Sequence, residues 1–182
     1  MNELALVGGG VRSGKSAFAL ALARRLGIRR AFVATAQAFD REMEERIALH
    51  RAERDGEFAT VEEPLDLPAA LAHVDADVVV VDCLTLWLSN LLLRGDSAAD
   101  VAAAVERLAA ELARRRLHAV LVTNEVGMGV VPESALGRLF RDVAGRAHQR
   151  LARDADRVYL AALGCVLRLR PGPVSLARPE DP

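Results

Sequence analysis

The stretch that decides the fold is Gly9-Gly10-Val11-Arg12-Ser13-Gly14-Lys15-Ser16. It satisfies the pattern G-x-x-x-x-G-K-[ST], in which the backbone N–H groups of a loop surround the phosphates of a nucleotide. Glycines are needed because a side chain would block the close approach of backbone and phosphate. Lys15 supplies a cation for the β- and γ-phosphates, and the Ser16 hydroxyl can complete the shell of a Mg²⁺ ion. We therefore expect a nucleoside triphosphate to bind here.

The flanks of this loop predict a strand before it and a helix after it. Residues 4–7 form an apolar run typical of a buried strand, and residues 17–26 have a helical pattern that ends before Gly27. Such a helix would present the positive end of its dipole to the phosphates. Strand, loop and helix together distinguish this motif from an incidental glycine-rich turn.

Strand and helix patterns then alternate along the chain. Predicted strands follow at residues 31–35, 58–61, 78–82, 119–123, 157–163 and 166–170, and predicted helices at about 40–53, 66–74, 84–93, 97–116 and 133–155. This alternation predicts an α/β fold, a mostly parallel sheet with helices on both faces. The last two strands are expected to pair antiparallel at a sheet edge, and Gly145 could interrupt the last helix. We expect residues 1–170 to form one catalytic domain and residues 171–182 a loosely held, Pro-rich tail.

Composition excludes several classes of protein. The chain of 182 residues is 52% hydrophobic, enough for a sizeable core, and its net charge of -1 offers no basic surface for nucleic acid. No apolar run reaches the roughly twenty residues of a membrane span, and the first strand leaves no room for a signal peptide. A soluble cytoplasmic protein is expected. Cys83 and Cys165 lack metal-ligand spacing, so both are expected to be buried, reduced thiols.

Polar residues stand where several predicted strands end. Thr35, Asp82 and residues 123–124 each follow an apolar strand, as the phosphate loop does. Ligands of parallel sheets bind at the carboxyl ends of the strands, so these groups are expected to converge on one crevice. Asp82 ends a run of four valines, where its carboxylate could hold Mg²⁺ directly or through water; the alternative is an N-cap of the next helix.

The predicted helix at residues 40–53 carries a histidine among arginines. Arg46, His50 and Arg54 are spaced i, i+4 and i+8 and share one face, with Arg51 nearby. Like charges lower the pKa of a histidine and favour the neutral imidazole, which can act as nucleophile or base. The spacing alone, however, fits a solvated charged helix better. His148 stands among arginines of the last helix; these could reach phosphates, but an exposed helix face explains most of them.

The motifs occur together and in one order. They are the phosphate loop at 9–16, Ala34-Thr35-Ala36, Arg46-Ile-Ala-Leu-His50, Asp82-Cys-Leu-Thr-Leu-Trp-Leu-Ser-Asn90, Thr123-Asn-Glu-Val-Gly-Met-Gly-Val-Val-Pro132 and Phe140-Arg-Asp142. In this combination the chain resembles the bifunctional adenosylcobinamide kinase / adenosylcobinamide-phosphate guanylyltransferase family of cobalamin biosynthesis, over about residues 4–170.

The resemblance implies two reactions. A nucleoside triphosphate, ATP or GTP, phosphorylates adenosylcobinamide, and GMP then passes from GTP through a histidine to adenosylcobinamide phosphate. The histidine of the family's pattern corresponds to His50, which would be guanylylated, while Lys15 would hold the leaving pyrophosphate. Mg²⁺ is the implied cofactor, with Ser16 and Asp82 as its protein ligands.

The resemblance also implies nucleotide contacts beyond the loop. They fall on Ala34, Thr35, Ala36, Arg51, Arg54, Glu62 and Asp82. A carboxylate can accept from N1–H and the 2-amino group of guanine, so Glu62 or Asp82 could select the base, and the role of Asp82 stays open. The family is typically trimeric, and residues 87–93 are a plausible apolar interface. The sequence departs from the family pattern at Val11, where Ala is usual, and at His148, where Asn is common.

Two other functions compete with this one. A single-function phosphate-loop kinase for another small alcohol would need His50 only structurally. A nucleotide-dependent switch ATPase would transfer nothing and would bind a partner protein, for which the chain has few long recognition loops.

Overall fold

The computed structural model describes residues 2–37 and 56–177 of the chain. In that part the strands are β1 Leu4–Gly9, β2 Arg30–Ala34, β3 Ala59–Glu62, β4 Val78–Asp82, β5 His118–Asn124, β6 Arg157–Ala162, β7 Cys165–Arg170 and β8 Ser175–Leu176. The helices there are α1 Lys15–Leu26, α2 Leu67–His73, α3 Leu84–Arg94, α4 Ala98–Ala113 and α5 Ala135–Asp154. The predicted helix at residues 40–53 lies outside the described residues.

All eight strands join one sheet in the order β3-β2-β4-β5-β1-β6-β7-β8. The first six strands of this order are parallel, and β6, β7 and β8 pair antiparallel. The predicted α/β class and the antiparallel edge are therefore confirmed. The strand β1, which leads into the phosphate loop, lies between β5 and β6, so β5 separates it from β4 and Asp82.

The sheet is covered on both faces because successive residues of its central strands point in opposite directions. Leu4 and Leu6 of β1 pack into a core with α2, α3, α4 and α5. Ala5 and Val7 pack on the other face, in a core that includes the buried side chains of α1. On that second face the rings of Phe18 and Tyr159 meet edge-on, with their centroids 4.9 Å apart.

The helix ends follow from local sequence. The Ser97 hydroxyl accepts from the Asp100 N–H while the Asp100 carboxylate accepts from the Ser97 N–H, a capping box that starts α4. Gly95 ends α3 with φ 107°, a left-handed conformation that favours glycine. The α5 helix continues unbroken through Gly145, so the expected interruption is absent. Its apolar stripe of Val143, Ala147 and Leu151 stabilises the helix by more than one glycine costs.

Two expectations about exposure need correction. Cys83 is buried as expected, but Cys165 is exposed, because it directly follows the tight turn at Leu163 and Gly164. Residues 87–93 do not form an apolar surface: Trp87 is fully buried in its own chain and its indole N–H donates to the Leu65 carbonyl at 2.9 Å. Of the large apolar side chains in that stretch, only Leu93 is exposed.

The Pro-rich tail also differs from its expected state. Ser175–Leu176 pairs with β7, and the Ala177 N–H donates to the Val166 carbonyl at 2.6 Å. The pairing is possible because the edge of β7 would otherwise leave backbone donors and acceptors unpaired. The tail therefore contributes a short strand to the sheet.

Candidate nucleotide site

The phosphate loop forms a tight turn between β1 and α1. The Ser13 N–H bonds back to the Gly10 carbonyl at 3.4 Å, and Gly14 starts α1 in a left-handed conformation with φ 92°. The Gly9 position allows no side chain, since an added Cβ would lie 2.5 Å from the Ala161 carbonyl oxygen. The turn thus directs the backbone N–H groups at the start of α1 toward one point, where a phosphate is attracted.

Two side chains of the loop are buried beneath this point. Lys15 is only 9% exposed, and its ammonium group donates to the Gly10 carbonyl at 3.1 Å. The Ser13 hydroxyl is buried with no hydrogen-bond partner among the residues that the structure describes. Buried polar groups are normally hydrogen-bonded, so the unpaired Ser13 hydroxyl is what we expect in a loop that binds an anion.

Predicted site residues from three neighbouring strands lie in one row across the sheet. Ala34 of β2 pairs with Glu62 of β3 on one side and with Asp82 of β4 on the other. Since strands are about 4.8 Å apart, the Cα atoms of Glu62 and Asp82 are roughly 10 Å apart. Two carboxylates therefore flank the end of β2, at the edge where the phosphate loop begins.

A buried hydrogen-bond network forms the floor behind this row. The Thr35 hydroxyl donates to the Cys83 carbonyl at 2.7 Å and accepts from the Cys83 N–H at 2.9 Å. The Thr85 hydroxyl oxygen accepts from the Asn124 N–H and from the Asn124 amide, both at 3.0 Å. The Asn90 amide donates to the Thr35 carbonyl at 2.8 Å. These bonds fix the ends of β2, β4 and β5 relative to one another.

Cys83 directly follows Asp82 at the end of β4 and is buried. Burial raises the pKa of its thiol, the negative charge of Asp82 adds to this, and the positive charge of Lys15 opposes it. Asp82 and Lys15 therefore influence the pKa of the same buried thiol in opposite directions. With a raised pKa the thiol stays protonated, so Cys83 is not a nucleophile here.

His148 joins this edge of the sheet from α5. Its Nε2 lies 2.6 Å from the Thr123 hydroxyl, at the end of β5. Burial lowers the pKa of His148, and the nearby Glu125 carboxylate opposes the shift. The imidazole is therefore mainly neutral near pH 7 and half-buried.

The segment after β5 is anchored at both of its ends. The Glu125 N–H donates to the Gly9 carbonyl at 3.0 Å, and the Glu125 carboxylate accepts from the Gly127 N–H at 2.6 Å. At the other end, the Ser134 hydroxyl accepts from the Gly137 N–H and begins α5. The first bond attaches this segment directly to the phosphate loop.

The sequence of this chain matches a known protein family. The model of the family "Cobinamide kinase / cobinamide phosphate guanyltransferase" (CobU) matches residues 5–169. The chain belongs to this family. It is therefore an enzyme, and the predicted resemblance is confirmed.

Individual relatives agree with this assignment. The bifunctional adenosylcobalamin biosynthesis protein CobP of Pseudomonas aeruginosa is 44% identical over 174 residues, which cover 93% of this chain and 98% of the relative. The proteins of the same description named CobU in Escherichia coli and Salmonella typhimurium are 41% and 40% identical, each over 91% of this chain and 98% of the relative.

Solved structures of lower sequence identity share the fold. A RadB recombinase superposes with a TM-score of 0.52 at 19% identity, covering 97% of this chain and 86% of that chain. A protein from Pyrococcus horikoshii OT3 superposes with a TM-score of 0.61 at 8% identity, covering 99% and 94%. At these identities the likeness concerns the fold alone.

For this CobU family member, the structure brings together many of the predicted nucleotide contacts. The loop at residues 9–16, Ala34, Thr35, Glu62 and Asp82 lie at the carboxyl edge, and Ala36 follows β2 there. His50, Arg51 and Arg54 lie outside the described residues. Thr85 and Asn90 also belong to this edge, because their hydrogen bonds hold the floor. Their helical pattern alone predicts packing, so only the tertiary contacts assign them here.

The same edge offers oxygen ligands that fit Mg²⁺. Among the described residues, no three His, Cys, Asp or Glu side chains cluster closely enough to hold a metal ion. Magnesium does not require such a cluster, because it is usually bound by one or two protein oxygens together with nucleotide phosphates and water. The Ser16 hydroxyl and the Asp82 carboxylate are donors of this kind.

Two further features lie away from this site. A groove of about 140 Å³ runs between α4 and α5 and contains none of the predicted site residues. Within residues 2–37 and 56–177, no helix combines the length and the apolar character that crossing a membrane requires.

Proposed function

We propose that this family member catalyses both reactions that its family's description names. In the kinase step, the hydroxyl oxygen of adenosylcobinamide attacks the γ-phosphorus of ATP or GTP. The new P–O bond forms as the bond to the β-phosphate oxygen breaks, the nucleoside diphosphate leaves, and the hydroxyl proton passes to water. Lys15 and the N–H groups at the start of α1 would bind the phosphate oxygens throughout.

The guanylyl transfer proceeds in two halves. A neutral His50 imidazole nitrogen attacks the α-phosphorus of GTP, a P–N bond forms, and pyrophosphate departs. A phosphate oxygen of adenosylcobinamide phosphate then attacks the same phosphorus, the P–N bond breaks, and adenosyl-GDP-cobinamide is released. Arg51 and Arg54 would offset the charge that develops on the phosphates. The pattern of residues 46–50 and the family membership support the role of His50.

The observation that carries the proposal is the edge that the phosphate loop shares with two carboxylates. Glu62 of β3 and Asp82 of β4 lie on either side of Ala34, at the edge of the sheet where the phosphate loop follows β1. Such an edge provides a cation for phosphates and acceptors for the guanine N1–H and 2-amino group. When bound, Mg²⁺ would neutralise phosphate charge, with Ser16 and Asp82 as protein ligands and Glu62 as the guanine acceptor.

Labelled GTP tests the proposal directly. The full chain is incubated with Mg²⁺ and GTP labelled at the α-phosphate, then denatured. We expect a covalent label that survives base, is lost in acid, and is absent from His50→Ala. Lys15→Ala should reduce both activities about 100-fold or more, as expected for removal of a preorganised charge. His73→Ala is the matched control, because His73 is exposed and should keep the label.

Each alternative function has its own outcome. An unlabelled wild-type protein that still phosphorylates an alcohol would contradict the guanylylated histidine and favour a single-function kinase. Triphosphate hydrolysis without transfer would favour the switch ATPase. The proposal further includes a homotrimer acting in the cytoplasm, and sedimentation of the purified protein tests the trimer.

A further inference from the structure

The segment between β5 and α5 exposes an unusual number of apolar side chains. Met128 is 81%, Val130 95% and Val131 57% exposed. The first turns of α5 add Leu136 at 49% and Leu139 at 37%. We call these five side chains the apolar shelf. An exposed cluster of this kind on a globular protein often marks a binding surface.

The shelf is held in place by contacts beneath it. Val126 and Phe140 are partly buried against the core, one on each side of the shelf. Arg138 donates to the Pro132 and Glu133 carbonyls at 3.1 and 2.6 Å. Leu136 lies four residues before Phe140 and seven before Val143, so it continues the buried stripe of α5 past the point where the core ends. The exposure is therefore not that of a loose loop.

The shelf is also attached to the nucleotide site. Asn124 pairs with Gly9 in the sheet, and the Glu125 N–H donates to the Gly9 carbonyl at 3.0 Å. The segment that carries the shelf thus leaves the sheet beside the first residue of the phosphate loop. A molecule that must approach the bound triphosphate from this side would contact the shelf.

We propose that the apolar shelf binds the corrin macrocycle of the acceptor substrate. This inference rests on the proposed function, which requires an acceptor at this edge. Among the ligands of the two reactions, the nucleotide is polar throughout, whereas the corrinoid has a broad, methyl-rich ring face. The shelf offers on the order of a few hundred Å², the size of a small-molecule contact, and less than the roughly 800 Å² that each partner of a standard protein interface buries.

The test compares corrinoid and nucleotide binding in one set of full-length variants. Met128→Ser and Val130→Ser, alone and combined, are titrated with dicyanocobinamide by absorbance and with a fluorescent GTP analogue. Both side chains are largely exposed, so the variants should fold. We expect the double variant to bind cobinamide at least about tenfold more weakly, and its KM for cobinamide to rise equally, with GTP affinity unchanged. Ile28→Ser is the matched control, since Ile28 is 86% exposed at the opposite edge of the sheet and should change neither affinity.

The outcomes separate the two proposals. If wild-type protein is guanylylated and phosphorylates cobinamide, but the double variant keeps the wild-type cobinamide affinity, the shelf assignment alone is overturned. If that variant instead changes only its oligomeric state in sedimentation, the shelf belongs to a second copy of the chain and the assignment is again overturned. If wild-type protein neither binds nor converts cobinamide, both proposals fail.

Discussion

At the scale of single residues, the pair formed by Thr123 and His148 links the end of β5 to α5. The 2.6 Å contact joins a hydroxyl next to Asn124 to a half-buried imidazole. Protonating that imidazole is unfavourable because burial lowers its pKa, although Glu125 partly compensates. The folded protein therefore binds a proton at His148 less readily than the unfolded chain does.

This difference predicts a pH dependence of stability. With a pKa depressed below the ordinary value of 6.5, His148 contributes stability that is fully present above pH 6.5 and is lost as the pH falls through the folded-state pKa. His148→Gln keeps an amide near Thr123 but does not titrate. Urea denaturation between pH 7.5 and pH 5.0 should therefore show a smaller loss of unfolding free energy in His148→Gln than in the wild type.

A second histidine provides the control for this experiment. His73 is exposed at the end of α2, and His73→Gln should retain the wild-type pH dependence. Equal pH profiles for His148→Gln and the wild type would show that burial does not disfavour the protonated imidazole.

Sequence predicts single residues well where a motif carries them and poorly where packing does. The loop motif assigns Lys15 to a phosphate site, which stays a prediction, and the ends of apolar strands predicted that Thr35 and Asp82 lie together, as the bond from the Thr35 N–H to the Asp82 carbonyl shows. By contrast, the contact of His148 with Thr123 was not predicted, because a helical pattern does not show which strand its partly buried side faces. The bonds from Asn124 to Thr85 join residues 39 apart in sequence, and no local pattern encodes them.

At the scale of elements, the last residue of β1 and the residue after it, Gly9 and Gly10, are glycines with different surroundings. An added Cβ at Gly9 would lie 2.5 Å from the Ala161 carbonyl oxygen and 2.7 Å from the Ser13 hydroxyl, whereas at Gly10 it would meet nothing within 4 Å. The first glycine is therefore needed for the packing of β1 against β6, and the second is not.

Alanine substitutions distinguish these two positions. Gly9→Ala should lower the free energy of unfolding by about 1–3 kcal/mol, because the backbone of β6 must shift. For a chain of this size each kcal/mol corresponds to a fall of about 2–4 °C in the midpoint of thermal unfolding. Gly10→Ala should melt within about 1 °C of the wild type in nucleotide-free buffer. Similar melting of both variants would contradict the close approach at Gly9.

Elements were easier to predict than their arrangement. Every predicted strand has a counterpart in the sheet within a few residues, since apolar runs and turn residues mark them locally. The order of the strands and the separation of β1 from β4 by β5 could not be predicted from the sequence, because they depend on contacts between distant segments. Gly145 favours an interruption of the last helix, but packing of the stripe that includes Val143 and Ala147 outweighs its low helix propensity.

At the scale of the whole molecule, one sheet carries two apolar layers. Trp87, the single tryptophan of the chain, is fully buried in the layer beneath α3 and bonded to the Leu65 carbonyl. Its fluorescence therefore reports unfolding of the core.

Nucleotide binding should stabilise both layers together. GTP at about 100 times its dissociation constant is expected to raise the free energy of unfolding by about 2.7 kcal/mol, provided that it binds only the folded chain. Trp87 fluorescence and far-UV circular dichroism should shift by the same amount, and Lys15→Ala should abolish the shift. If the Trp87 transition came at lower denaturant than the circular dichroism transition, the layers would unfold separately.

The short strand β8 limits the association of copies of this protein through the edges of their sheets. A free strand edge is a template on which another chain can add a strand. Here Ser175–Leu176 and the Ala177 N–H cover the middle of β7, and Pro171 and Pro173, which have no N–H to donate, follow β7 directly. At the opposite side of the sheet, β3 is four residues long. Within the described residues, the long strands all lie in the interior of the sheet. The native sheet therefore offers only short edge strands to which another chain could add a strand in an amyloid-like way. An unfolding intermediate that released β8 would expose the longer edge of β7.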